Sequence, residues 1–157
     1  MIFGSMELDG RSGHETGRAL LRKLWEENIG GALPEIAVTE RGKPYFTDSI
    51  WQFSISHTKR RAFCVLSREN VGIDAEELDR DINLGLAEKI LSPAEKAQFD
   101  TAPDKRLALL TFWVLKEARA KLTGQGLRGY PKDTDFSLSD PRVTVRNDCL
   151  LAILEEQ

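Results

Sequence analysis

The 157-residue sequence has few of the residues that build cross-linked, metal-thiolate or membrane proteins. Its two cysteines, Cys64 and Cys149, lie in separate apolar runs, each without a second cysteine or a histidine at metal-ligand spacing. This pattern favours buried, reduced thiols over a disulfide or a zinc site. No apolar run reaches membrane-spanning length, and the N-terminus has no secretory signal pattern. We therefore expect a cytoplasmic protein with no membrane partner.

The sequence also lacks a large excess of either charge, because 25 acidic and 22 basic residues leave a net charge of only −3. A nucleic-acid partner therefore gains no support from bulk electrostatics. Hydrophobic residues make up 41 % of the chain, which is enough for a packed interior and too much for a disordered chain. The length fits a single compact domain over residues 1–157.

The hydrophobic periodicity predicts helix followed by strands, twice, and therefore an α+β fold. We expect two similar α+β halves, about 1–66 and about 67–157, with no repeat visible at the level of single residues. Residues 1–13 give little signal, Tyr130–Asp135 is expected to form a loop, and Asn147 and Asp148 form a hairpin turn. The predicted helices run from about His14 to Asn28, from a cap at Ser92, and from Asp104 to Gly124. The predicted strands are Ile36–Thr39, Trp51–His57, Ala62–Leu66, Val71–Glu76, Phe136–Leu138, Val143–Arg146 and Cys149–Leu154.

Two charged residues border the apolar face of the last of these helices. That face carries Leu107, Leu110, Val114, Ala118 and Leu122 at three- and four-residue steps. Glu117 and Lys121 are one turn apart at its edge. The common interpretation is a surface ion pair that stabilises the helix by a few tenths of a kcal/mol. A second acidic feature upstream favours a functional interpretation instead.

That second feature is Asp74 and Glu76, which are two apart on a predicted strand and therefore point to the same side. With Glu117 they form three hard oxygen donors, the kind that Mg²⁺ prefers. Lys121, one turn beyond Glu117, can pair with a phosphate or stabilise developing negative charge. These residue types indicate a magnesium-phosphate site.

Five ordered segments then make the sequence recognisable: GKPYF (42–46), FSISHT (53–58), VGIDAE (71–76), ILSPAE (90–95) and FWVLKEARAKLTGQGL (112–127). Together they cover most of the chain from about residue 14 to 138. The sequence resembles the 4′-phosphopantetheinyl transferase superfamily. The GID strand lies in mid-chain, after a complete helix-and-strand half, which is similar to the two-halved, Sfp-like type. That resemblance implies a pseudo-duplicated monomer with its active site between the halves.

The resemblance also implies a reaction, in which a serine of an acyl or peptidyl carrier protein attacks the β-phosphate of coenzyme A. The 4′-phosphopantetheine arm moves to the serine, and adenosine 3′,5′-bisphosphate leaves. By motif, Asp74, Glu76 and Glu117 would hold Mg²⁺, with Asp74 also bordering coenzyme A, and Glu117 or a metal-bound water would deprotonate the serine. Lys121 would stabilise charge on the pyrophosphate. The remaining motif residues would contact coenzyme A: Lys43 and Pro44 of the GKP turn, and Ser56 and His57 of the ISHT segment.

Two other functions share part of this pattern. Mg²⁺-dependent nucleases also use spaced acidic residues followed by a Glu-x-Lys element, but they need a basic surface for the phosphate backbone. They would also leave the GKP and ISHT segments unexplained. A non-catalytic relative could bind carrier proteins without transferring anything. Against it stand Asp74, Glu76, Glu117 and Lys121, because unused buried charge destabilises a protein.

Overall fold

The computed structural model of this chain describes residues 1–126, 132 and 134–157. Within these residues helices and strands are mixed, and the predicted α+β class is confirmed. The strands are β1 (Ile2–Glu7), β2 (Ile36–Val38), β3 (Pro44–Phe46), β4 (Gln52–His57), β5 (Arg61–Ser67), β6 (Val71–Glu77), β7 (Val143–Arg146) and β8 (Cys149–Glu155). The helices are α1 (Gly13–Asn28), α2 (Ala87–Ile90), α3 (Pro93–Thr101) and α4 (Lys105–Thr123), with a 3₁₀ turn at Leu84–Leu86 before α2.

The first sheet is antiparallel, with the strand order β1-β5-β4, and helix α1 covers one of its faces. Residues of the central strand β5 alternate between two cores, as the period of a strand requires. Cys64 and Leu66 pack in the cluster that contains α1. Phe63 and Val65 pack in a different cluster, together with residues of β6 and β8. This second cluster joins the first sheet to the rest of the molecule.

The second sheet is also antiparallel, with the order β6-β8-β7, and it is covered by helix α4. Each sheet with its helix follows the same sequence of elements: a strand, a helix, then a hairpin whose last strand lies in the middle of the sheet. A short hairpin of β2 and β3 is inserted in the first unit, and the 3₁₀ turn with helices α2 and α3 is inserted in the second. The element order fits two similar halves, while a duplication and a boundary near residue 67 stay predictions.

Serine side chains join the two sheets where β4 meets β6. The Ser54 hydroxyl accepts a hydrogen bond from the Ile73 amide at 3.1 Å, and the Ser56 hydroxyl accepts one from the Ala75 amide at 3.1 Å. These hydroxyls take the place that backbone carbonyls hold in a β-ladder. The spacing of two residues on each strand repeats the pairing, so the register between β4 and β6 is fixed at two points.

Most predicted element ends are confirmed, and each has a local cause. Ser92 and Glu95 form a reciprocal capping box at the start of α3. Asp104 caps α4, and Gly124 ends it with a φ of 70°. Asn147 and Asp148 have positive φ values of 51° and 59°, as a tight hairpin turn requires.

The structure adds one strand where the sequence has little signal, and two predictions about the fold were wrong. Residues 2–7 form a full strand of the first sheet, and Gly4 lies there because a Cβ would come within 2.8 Å of Leu24. Phe136–Leu138 is not a strand, since the amides of Phe136 and Leu138 donate to the side chains of Glu95 and Gln98 instead of a neighbouring strand. Leu107, expected on the apolar face, is 38 % exposed.

Some predictions lie outside the described residues: Leu127 of the GQGL turn, and Tyr130, Pro131 and Asp133 of the predicted loop. No helix within the described ranges is long and apolar enough to cross a membrane. Both cysteines are buried free thiols, as predicted.

Candidate active site

Helix α4 lies directly against strand β6, and this close approach sets the geometry of the site. A Cβ added to Gly72 would be 2.1 Å from the carbonyl oxygen of Ala118 and 2.6 Å from the amide of Leu122. Only glycine therefore allows the two backbones to touch here. Because residues of β6 alternate in direction, the positions that follow on the same side, Asp74 and Glu76, point toward α4.

Asp74 lies in the middle of this contact and is only 5 % exposed. Its Oδ1 atom accepts hydrogen bonds from Lys121 Nζ at 2.9 Å and from Ser56 Oγ at 3.2 Å. Its Oδ2 atom is buried and has no hydrogen-bond partner among the described residues. Burial raises the pKa of Asp74, although the Lys121 charge acts in the opposite direction. Asp74 is therefore paired with a cation through Oδ1 and keeps Oδ2 as a buried acceptor.

Glu76 is held by a tryptophan and an arginine. Trp113 Nε1 donates to Glu76 Oε1 at 3.1 Å, and Arg80 forms an ion pair with the same oxygen. The Arg80 guanidinium also stacks 5.2 Å from the centre of the Trp113 ring. Burial raises the pKa of Glu76, and the negative charge of Asp74 raises it further.

Glu117 completes the acidic group from the helix side. Its pKa is raised to about 7, first by burial and then by the negative charge of Asp74. Glu76 contributes in the same direction, whereas Lys121 opposes it. These pKa directions agree with the backbone geometry, which places the three predicted carboxylates at the same contact of β6 and α4. A carboxyl with a pKa near neutrality can also exchange a proton under physiological conditions.

The donor set fits a divalent cation. Asp74, Glu76 and Glu117 supply only hard oxygens, their charges repel, and Asp74 Oδ2 is unsatisfied. In the present conformation Lys121 and Arg80 hold Asp74 and Glu76, and no three acidic, histidine or cysteine side chains of the described ranges converge closely enough to hold one ion. An ion would therefore have to compete with these two cations and draw the carboxylates together.

Glu117 and Lys121 line a cavity of about 270 Å³, and the GKP turn forms its opposite wall. The sequence predicts that Lys43 and Pro44 contact coenzyme A, and both border this cavity. The Lys43 ammonium, however, donates to Asn70 Oδ1 and to the Leu122 carbonyl, each at 2.6 Å. The predicted contacts with coenzyme A stay predictions.

Ser56 and His57 are consecutive on β4 and face different surroundings. Ser56 is buried, since its hydroxyl links Asp74 to the Ala75 amide. His57 is exposed and lines a second, larger cavity of about 890 Å³ that Glu76 also borders. Its ring lies against Gly13 at the start of α1, where a Cβ would come within 2.2 Å of Nδ1. The predicted contacts of both residues with coenzyme A also stay predictions.

Three residues of this region had no role assigned from the sequence. Arg80 lies four residues after Glu76, within a run of acidic residues that predicts only a loop. Asn70 lies in the turn before β6 and has no motif of its own. The spacing does place Trp113 one turn before Glu117 on the same edge of the helix, but it does not predict the hydrogen bond to Glu76.

Comparisons of the sequence with known proteins identify its family. The sequence profile of the 4′-phosphopantetheinyl transferase superfamily matches residues 70–152, which is more than half of the chain. The chain is 31 % identical over 121 residues to the 4′-phosphopantetheinyl transferase HetI of a Nostoc species, which covers 71 % of this chain. It is 32 % identical over 136 residues to the 4′-phosphopantetheinyl transferase psf-1 of Bacillus pumilus, which covers 83 % of this chain.

The aligned regions cover 51 % of HetI and 58 % of psf-1, so this chain spans little more than half the length of these relatives. The profile match itself includes β6, the whole of α4 and the hairpin of β7 and β8. It therefore contains all three carboxylates and Lys121. This chain belongs to the 4′-phosphopantetheinyl transferase superfamily.

Proposed function

We propose that this protein transfers the 4′-phosphopantetheine arm of coenzyme A to a serine of an acyl or peptidyl carrier protein, in a Mg²⁺-dependent reaction that releases adenosine 3′,5′-bisphosphate. The observation that carries the proposal is the close contact of β6 and α4, which sets Asp74 and Glu76 of the strand against the helix edge of Glu117 and Lys121, with Lys121 Nζ 2.9 Å from Asp74 Oδ1. Phosphoryl transfer depends mainly on positioning and charge neutralisation, which such a group can provide.

In this proposal Asp74, Glu76 and Glu117 hold Mg²⁺. When bound, the ion would neutralise charge on the pyrophosphate of coenzyme A. Trp113 and Ser56 orient the proposed ligands, since Trp113 donates a hydrogen bond to Glu76 and Ser56 donates one to Asp74. Serine and tryptophan thus fix the directions in which Glu76 and Asp74 present their oxygens.

Glu117 is the proposed acceptor of the proton from the carrier serine. The serine oxygen forms a bond to the β-phosphorus, and the bond between this phosphorus and the bridging oxygen of adenosine 3′,5′-bisphosphate breaks. The serine proton passes to the Glu117 carboxylate, which acts as the general base. Lys121 stabilises the negative charge that moves to the leaving group.

The nucleotide end of coenzyme A is proposed to occupy the cavity of about 890 Å³ that contains His57 and Glu76. The imidazole of His57 can donate a hydrogen bond to a phosphate oxygen there. We also propose that a single copy is sufficient, because one chain supplies all the carboxylates and Lys121, and that the protein acts in the cytoplasm.

The proposal is tested by intact-mass spectrometry of apo carrier proteins incubated with this protein, coenzyme A and Mg²⁺, with and without EDTA. A metal-dependent gain of about 340 Da, the mass of one phosphopantetheine arm, is the expected result. Glu117→Gln is the matched control, since it removes the charge of Glu117 with little change in shape and should abolish the gain.

Other outcomes reject the proposal. Coenzyme A binding without any gain on fatty-acid, polyketide and nonribosomal-peptide carriers would favour a non-catalytic relative. The absence of both the mass gain and coenzyme A binding would favour the alternative function of a Mg²⁺-dependent nuclease. That function would be checked by metal-dependent cleavage of DNA and RNA.

A further inference from the structure

We propose that Lys43 is a positioning residue: its ammonium holds the last turn of helix α4 in place and thereby sets Lys121 against Asp74. The inference rests on the proposed function, because it assigns Lys43 a role in phosphopantetheine transfer other than contact with coenzyme A.

The ammonium of Lys43 joins three separate segments of the chain. It donates to the side-chain oxygen of Asn70 in the β5–β6 turn and to the carbonyl of Leu122 in the last turn of α4, both at 2.6 Å. Asn70 Nδ2 also donates to the same carbonyl at 2.8 Å. We call Lys43, Asn70 and the Leu122 carbonyl the helix-end cluster. Every pair within it is hydrogen-bonded.

The cluster satisfies a group that helix geometry leaves open. The last four carbonyls of a helix have no partner within the helix, and a cation near them also interacts favourably with the helix dipole. Gly124, which ends α4, donates to Ala120, so it does not satisfy Leu122. Lys43 and Asn70 together supply the two donors that a carbonyl oxygen can accept.

The lysine is fixed at both ends. Its backbone is held in the β2–β3 turn, where Thr39 donates to the Lys43 carbonyl at 2.9 Å and Thr39 Oγ1 accepts from the Lys43 amide at 3.0 Å. Its aliphatic stem crosses Gly124, where a Cβ would be 3.1 Å from Lys43 Cδ. Burial lowers the pKa of Lys43, which agrees with an ammonium enclosed by protein.

The position of Leu122 matters because Lys121 precedes it directly. The Leu122 amide faces Gly72 of β6, and its carbonyl is held by the helix-end cluster. A change at the cluster would therefore shift the turn that carries Lys121 Nζ, now 2.9 Å from Asp74 Oδ1. A lysine ammonium has three N–H donors, and Lys43 uses two of them in the helix-end cluster. One donor is therefore left for any other partner.

The test is a double-mutant cycle of Lys43→Met and Asn70→Ala, with Lys23→Met on the exposed face of α1 as the matched lysine control. The folded fraction of each variant is checked by circular dichroism, and kcat and KM for coenzyme A are measured with saturating carrier. We expect each cluster variant to lower kcat about tenfold, as small displacements of catalytic groups do. KM for coenzyme A should stay within about twofold of wild type, and the double variant should be no worse than the more impaired single one.

Hydrogen exchange measured by mass spectrometry on the same proteins reports the cluster without any turnover. The amides of the last turn of α4 should exchange faster in both single variants and at the wild-type rate in Lys23→Met. This readout separates the two proposals: an inactive wild type would reject the proposed function, whereas unchanged exchange in Lys43→Met and Asn70→Ala would reject the helix-end cluster.

Two kinetic results would also overturn the inference. A large rise in KM for coenzyme A in Lys43→Met, with no effect of Asn70→Ala, would make Lys43 a phosphate ligand. An unchanged kcat in both variants, after correction for the folded fraction, would reduce the cluster to a stabilising contact.

Discussion

Replacing Glu117 by glutamine should change how the stability of the metal-free protein depends on pH. The pKa of Glu117 rises from an ordinary value of 4.5 to about 7 on folding, so the folded state binds this proton more tightly than the unfolded state. The stabilisation is complete below about pH 4.5 and is lost as the pH rises through 7. The wild-type protein should therefore become less stable between these limits.

The size of the effect follows from the same two values. At about 1.4 kcal/mol for each tenfold change in proton affinity, the rise to about 7 corresponds to about 3 kcal/mol. The side chain is only partly buried, so solvent screening reduces this to about 1–2 kcal/mol. Glutamine keeps the shape and carries no charge, which removes both the Glu117 titration and its repulsion of Asp74. Asp74 and Glu76 titrate as coupled neighbours. The free energy of unfolding of Glu117→Gln should therefore depend on pH less than that of the wild type, but it should still depend on pH.

Urea unfolding of wild type and Glu117→Gln in EDTA, at pH 5 and at pH 8, measures this difference. Glu117→Gln should gain about 1–2 kcal/mol relative to wild type at pH 8, and the gain should shrink at pH 5. Added Mg²⁺ should stabilise the wild type at pH 8 more than the variant, because the ion binds only the folded state. Parallel pH profiles for the two proteins would refute the argument that carboxylate repulsion is stored at this site.

Three further substitutions test other parts of the site. Gly72→Ala should lower the free energy of unfolding by about 1–3 kcal/mol in urea titrations, because the new methyl group would meet the Ala118 carbonyl; unchanged stability would show that the two backbones separate freely. Trp113→Phe keeps an aromatic side chain but removes the hydrogen bond to Glu76, and should raise the Mg²⁺ concentration for half-maximal transfer about tenfold. An unchanged metal requirement would mean that this bond does not orient the carboxylate. His57→Ala should discriminate less than wild type between coenzyme A and 3′-dephospho-coenzyme A in competition assays, and an unchanged preference would remove His57 from the 3′-phosphate.

The sequence was sufficient to predict on which side of a strand or helix a residue lies, because the period of the element determines it. Asp74 and Glu76 were placed on one side of a strand, and Glu117 and Lys121 on one edge of a helix, by spacing alone. The structure brings these four residues together at the contact of β6 and α4. The helix ends followed from capping residues in the same way, because a cap acts on its own first or last turn.

Contacts between distant segments could not be predicted from the sequence. The partners of Lys43 are Asn70 and the backbone of Leu122, which are 27 and 79 residues away, and a backbone acceptor leaves no trace in side-chain identity. Phe136–Leu138 has the composition of a strand, yet its amides donate to side chains of α3, a choice that depends on tertiary packing. Such contacts become visible only when the segments are placed in space.

The serine junction between β4 and β6 links cooperativity to the chemistry of the site. Each three-stranded sheet with its helix has a cluster of its own, whereas the two sheets meet through side-chain hydroxyls and a smaller shared core. Native proteins open locally along such lines at a free energy below that of global unfolding. Ser56 belongs to one sheet and Asp74 to the other, so opening of the junction removes a hydrogen bond from the carboxylate. Part of the free energy that docks the two sheets is therefore also the free energy that assembles the site.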